Sequence, residues 1–189
     1  VPQPSMRGIA NKRIDIWSDI VCPFCYVGKR NLEQALAEFE HRDEVEVVWH
    51  SFELDPSATE HPAGSLPELI AGKYQMSLEQ AIASQESLAE RAREVGLDFN
   101  WRQARYGNTF DAHRVIHYAA EQGLASAAQE AFKLAYFTQG RSVQDHESIL
   151  DIASEIGLDT AEVEAVLKSD RYAADVRADE QLARQLGIN

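Results

Sequence analysis

Cys22 and Cys25 are the only cysteines in the 189-residue sequence, and Pro23 and Phe24 are all that separates them. Thiols at i and i+3 on the first turn of a helix share one face, close enough to form a disulfide and open it again. Pro23 suits the first helical position, where its missing N–H would have had no partner. Cys22 then falls at the N-cap, where free amides and the positive end of the helix dipole favour a thiolate. Such thiols drop from about 8.5 to roughly 3.5–7.5. Cys22 is therefore expected to be the nucleophile, accessible and with a lowered pKa. Cys25, one turn deeper, is expected to be buried and to resolve the mixed disulfide. Zinc would need about four ligands. No second cysteine pair exists, and only His113 and His117, at i and i+4, would be spaced to complete a set. A purely structural disulfide across so short a loop would constrain little chain entropy. Thiol–disulfide exchange is the chemistry this spacing supports best, with no metal.

Phe24 brings no charge to the pair, so the centre is expected to be less oxidising than one with histidine there. Pro23 and Phe24 together set the balance of dithiol and disulfide. Asp19 has two readings, a turn former after a strand and a proton relay for Cys25. Tyr26 reads as helix packing or as a hydrogen-bond donor near the site. The acidic run over residues 175–180 reads as a solvated face.

The elements that must hold these residues follow from periodicity. Residues 13–17 alternate as a strand, residues 23–40 carry an apolar helical stripe (Val27, Leu32, Ala35, Leu36, Phe39), and residues 45–52 are rich in β-branched and aromatic residues. Strand, helix, strand implies a parallel pair with a right-handed crossover. Trp17 and Trp49 are expected in its core. From about residue 65 to 170 the periodicity is helical. Ser77 and Gln80 make a capping-box pattern, and Gly96, Gly123, Gly140 and Gly157 punctuate. Helices are expected near residues 125–137, 145–156 and 160–168. Another starts at Asn108 or Thr109, and a last one runs over 172–186 to Gly187.

Hydrophobic residues make up 44%, with 18 Lys+Arg against 31 Asp+Glu and a net charge of −13. That charge argues against non-specific nucleic-acid binding and against docking on an anionic membrane. No apolar run approaches membrane-spanning length. The first residues show no signal-peptide pattern, and two cysteines in one motif suit a reducing compartment, so a cytoplasmic location is expected.

The segment Asp19-Ile20-Val21-Cys22-Pro23-Phe24-Cys25-Tyr26-Val27-Gly28-Lys29-Arg30 resembles the active-site segment of FrnE-type proteins, in the DsbA-like branch of the thioredoxin superfamily. Asn108-Thr109-Phe110-Asp111-Ala112-His113-Arg114 resembles that group's mid-insertion motif. Residues 136–141 and 151–153 also fit. The resemblance covers about residues 13–189. It implies an α/β thioredoxin-like fold with a large α-helical insertion: residues 13–60 plus 171–189 as the thioredoxin-like domain, and 61–170 as the insertion. It implies a protein dithiol–disulfide oxidoreductase acting on protein or small-molecule thiols and disulfides. No cofactor is bound, and glutathione is a candidate redox partner. Asn108 and His113 would line a cleft between the subdomains, although for His113 a helix-surface or satisfied core place is the competing expectation. Kappa-class glutathione transferases and 2-hydroxychromene-2-carboxylate isomerases are neighbours, which typically carry serine at the position matched by Cys22. A glutathione-dependent isomerase or transferase is thus the second reading, and an incomplete fragment or assembly partner the third. Related proteins continue past a Leu-Gly-Ile like residues 186–188 into a cis-proline strand, a hairpin and a helix. The C-terminal strands are accordingly expected to be missing, leaving a sheet edge open to a second chain.

Overall fold

A computed structural model describes residues 12–188. β1 (Lys12–Ser18) leads through a four-residue turn into α1 (Pro23–Glu38), and β2 (Val45–Ser51) returns parallel to β1. Ile16 pairs with Trp49 and Trp17 with His50. Strand side chains alternate between faces. Ile14, Ile16, Val47 and Trp49 therefore share one face, and Asp15, Trp17 and His50 the other. The apolar face meets Leu32 and Leu36 of α1 across a groove of about 300 Å³. Among the described residues the sheet has these two strands.

Helices fill the rest: α2 (Leu66–Tyr74), α3 (Leu78–Glu94), α4 (Phe110–Glu121), α5 (Ala125–Phe137), α6 (His146–Glu155), α7 (Thr160–Leu167) and α8 (Ala173–Leu186). α2 is the one helix that the periodicity did not single out. Ser65 opens it and Ser77 opens α3, each with a reciprocal capping box. Such a cap contributes about 1 kcal/mol. Gly187 ends α8 in the left-handed region that a side chain would resist, at φ 73°.

The largest core lies among the helices. Tyr26 of α1 enters it, beside Phe99 and Phe137, whose rings stack at 4.4 Å between centroids. α1 is thus pinned at its N-terminal end. Its expected apolar stripe is only partly covered: Val27, Leu32 and Leu36 are half-buried, and Ala35 and Phe39 are exposed. Trp17 and Trp49 are also half-buried rather than core, because a two-stranded sheet offers each face little cover.

α8 returns to the sheet and corrects the reading of residues 175–180 as a solvated face. Asp175 is exposed, but Asp179 and Glu180 point inward. Asp179 accepts from the Ser51 amide at 2.8 Å and faces His50 Nδ1 at 2.7 Å and His117 Nε2 at 3.1 Å. His50 Nε2 reaches Asp15 at 2.7 Å, and its ring stacks on Trp17. Helical periodicity separates the two kinds of acid: i and i+4 share a face, so 176, 179, 180 and 183 form the docking side.

Candidate functional site: the Cys22–Cys25 pair

The turn over residues 19–22 delivers the cysteines to the start of α1. Cys22 is the N-cap in extended conformation, Pro23 opens the first turn, and the Cys25 amide donates to Cys22 Sγ at 3.4 Å. Both thiols are free. Phe24 between them is 62% exposed.

Two expectations about the pair are overturned. Cys22 is buried, at 8% exposure, and Cys25 is half-buried, the reverse of the expected order. Ile20 and Val21, which precede Cys22 in the turn, belong to the core. The thiolate preference is reversed as well. Hydrogen bonding to the Cys22 thiol pushes Cys25 down to about 6, against the effect of burial, with help from the buried Lys133 ammonium, the Asp19 amide and the Ser18 hydroxyl. The same contact with Cys25, together with burial, pushes Cys22 well above the ordinary cysteine value. The contact between the two sulfurs makes them one coupled titrating pair.

Asp19 opens the turn that leads to Cys22 and is enclosed there. At 2% exposure, its carboxylate accepts from the Ile20 amide at 2.7 Å, the Leu54 amide at 2.8 Å and the Thr109 hydroxyl at 2.8 Å, and faces His113 Nε2 at 3.2 Å. Burial opposes its charge, but His113, the Leu54 amide and Thr109 outweigh it and hold the carboxyl below the usual range. His113 is fully buried, so it belongs to the interior rather than to a cleft wall or a helix surface. Its Nδ1 has no protein partner. His117 turns instead to Asp179, so the two histidines diverge. Among the described residues no group of three or more His, Cys, Asp or Glu is placed to hold a metal ion.

Asn108 caps the entry to α4, accepting from the Phe110 amide at 2.9 Å and donating to Glu53 at 3.3 Å. It also lines a cavity of about 350 Å³ with Thr59, Glu60, Phe110, Asp111 and Gln144. Neither cysteine lines that cavity. Glu53, at the exit of β2, is buried against Arg177 and Glu180 of α8, and burial pushes its carboxyl up. Tyr26 takes the packing reading: its ring is buried in the core, and its hydroxyl donates to Glu130 of α5 at 2.7 Å.

Lys133 was missed in the sequence. It sits on α5, fully buried, and its ammonium donates to the Asp19 carbonyl and to Gln129 Oε1, each at 2.9 Å. A signal was there to find: Gln129 and Lys133, at i and i+4, fall on the same stripe as Phe132 and Tyr136, where apolar residues belong.

With this geometry in place, residues 13–189 match the DSBA-like thioredoxin domain, and the chain belongs to that family. The crystal structure of a probable DsbA oxidoreductase from Streptomyces coelicolor is 47% identical, with a TM-score of 0.88 over 93% of this chain and 76% of that one. The cytosolic disulfide reductase DsbM of Pseudomonas aeruginosa is similar in fold, at 18% identity and a TM-score of 0.64, over 93% and 80% of the two chains. YwbO of Bacillus subtilis is 29% identical over 160 residues, covering 84% of this chain and 73% of that protein. No helix among the described residues is long and apolar enough to cross a membrane.

Proposed function

We propose that the chain is a dithiol–disulfide oxidoreductase of the FrnE type, with Cys22 as the exchanging thiol and Cys25 as the resolving thiol. The observation that carries this reading is the pair of free thiols at the start of α1, with Cys22 at the N-cap and the Cys25 amide donating to its sulfur at 3.4 Å. In the oxidising direction a substrate thiolate attacks Cys22 Sγ, the Cys22–Cys25 bond breaks, and Cys25 leaves as a thiolate. A second substrate thiolate then attacks the substrate sulfur of the mixed disulfide, and Cys22 leaves and takes up a proton. The result is one substrate disulfide and the dithiol form of the pair. The low proton affinity of Cys25 suits the leaving group in this direction. In the reducing direction the proton sits on Cys25, the Cys22 thiolate attacks the substrate disulfide, and that bond breaks to release one substrate thiolate. Cys25 then gives its proton to that thiolate and attacks Cys22 Sγ, which expels the second substrate thiolate and closes the Cys22–Cys25 disulfide.

The substrates are protein or small-molecule thiols and disulfides. Glutathione as a redox partner is supported by the glutathione-bound DsbM structure, and a cytoplasmic site of action by that protein's description as cytosolic. Residues 61–170 act as an insertion that supplies Thr109, His113 and Lys133 to the turn before Cys22. A glutathione-dependent isomerase reading finds support in the similar fold of 2-hydroxychromene-2-carboxylate isomerase, at a TM-score of 0.64 and 16% identity. Two cysteines favour exchange over that reading.

Insulin reduction tests the proposal. Cys22→Ser and Cys25→Ser should each abolish turnover, and Cys25→Ser should trap a mixed disulfide at Cys22. Turnover that survives either substitution, or a trapped adduct on Cys25 in Cys22→Ser alone, overturns the assigned roles.

A further inference from the structure

A lysine ammonium enclosed in a protein interior costs several kcal/mol unless an opposite charge and further hydrogen bonds meet it. Lys133 has only half of that. Its two hydrogen bonds go to neutral oxygens, the Asp19 carbonyl and the Gln129 amide. The Asp19 carboxylate is turned to Thr109, His113 and two backbone amides, and is not within salt-bridge distance of Lys133. The chargeable groups that favour the Lys133 ammonium are Cys25, Asp19 and Cys22, acting against burial, which lowers its pKa. Two of those three carry charge only when the pair is reduced.

We propose that Lys133, which the helical insertion brings to the Asp19 carbonyl in the turn leading to Cys22, is a positioning residue whose buried charge sets the reduction potential of the Cys22–Cys25 pair by favouring the thiolate of the reduced form. The disulfide is neutral and gives Lys133 nothing. The reduced pair gives it a counter-ion. Lys133 therefore stabilises the reduced state and makes the disulfide a stronger oxidant. By reciprocity, reduction strengthens the attachment of α5 to the turn at Asp19. The proposal rests on the reading of Cys22 and Cys25 as a redox pair.

The test equilibrates the full chain with glutathione buffers. In the balanced reaction, the disulfide form plus two glutathione thiols gives a protein with one thiolate and one thiol, plus glutathione disulfide and one proton. Lys133→Met removes charge and hydrogen bonds, and Lys133→Gln removes the charge while keeping a donor. Both should move the equilibrium about tenfold towards the protein disulfide, about 30 mV. Both should also move the thiolate absorbance transition to higher pH. Folded variants that keep the wild-type equilibrium and transition, or that shift the other way, overturn the proposal. If neither variant folds, the wild type decides. The Lys133 Cε resonance should titrate at higher pH in the reduced than in the oxidised protein, and coincident titrations overturn it. Wild-type insulin turnover is read separately: its absence sinks the oxidoreductase function but leaves the glutathione equilibrium to judge Lys133.

Discussion

At the scale of single residues, Asp19 does the most to join distant parts of the chain. Its carboxylate serves the turn, the β2 exit and α4, and its carbonyl serves α5. Asp19→Asn keeps the size but removes the charge opposite His113 and leaves donors facing the new amide. Breaking a buried, hydrogen-bonded charge in this way should cost about 3 kcal/mol, read as a lower denaturant midpoint at pH 7. The linkage has a definite sign. A carboxyl held lower in the folded than in the unfolded chain stabilises above the unfolded value of about 3.9 and loses that contribution as pH falls through the folded value. Wild-type stability should therefore fall on acidification below about pH 4, and the Asp19→Asn profile should be flatter there. A second prediction concerns the sulfurs. Absorbance of the reduced protein should show a first thiolate transition near 6, with the second proton held far above it. A single transition at the unperturbed value of about 8.5 would mean the sulfurs do not titrate as a coupled pair.

At the scale of elements, two clamps hold the site's supports. The first joins α1 to α5. Glu130 faces Lys29 at 2.6 Å, takes the Tyr26 hydroxyl, and pairs with Arg30, while Lys29 also pairs with Glu33. Burial opposes the Glu130 charge, but Arg30, Lys29 and Tyr26 hold its carboxyl down at about 2. Lys29 is buried, so Glu130→Gln leaves a cation with one fewer counter-ion. A loss of about 2 kcal/mol is expected in thermal or urea unfolding, discounted from a fully buried pair because Glu130 is partly exposed. The second clamp is Asp179, which fixes α8 to β2 through Ser51, His50 and His117. Those partners outweigh its burial and hold its carboxyl low. Asp179→Asn should loosen α8, seen as faster amide exchange at Ser51 and along α8 with slower change in α5. Uniform exchange rates across both helices would show that Asp179 carries no special share of the docking.

At the scale of the whole molecule, the α/β unit and the helices share one set of buried polar bonds, so they should unfold together. Far-UV circular dichroism follows mainly the helices, while fluorescence combines Trp17 and Trp49 on the sheet with Trp101 among the helices. The two transitions should coincide in wild-type protein. In Asp19→Asn they should separate, because the links to Thr109, His113 and Leu54 are weakened. Coincident transitions in the variant would place the coupling elsewhere, in the aromatic contacts of Tyr26 with Phe99 and Phe137.

Much of this was legible before any fold was known, for a physical reason. Cysteines at i and i+3 after a strand, proline at the first helical position, serine caps and glycine stops act within a few residues, where chain geometry leaves few choices. Those local rules suffice for β1, α1, β2 and most helices, and for placing Cys22 and Cys25 at the start of α1. The electrostatics of the site were decided only by tertiary structure. Asp19 meets His113 across 94 positions and Lys133 across 114. Whether a lysine in an apolar stripe, an aspartate in a turn or an acid at position 179 is solvated or enclosed depends on what folds over it. Burial and those distant partners then determine how Asp19 and Lys133 hold their charges, and no local spacing encodes that.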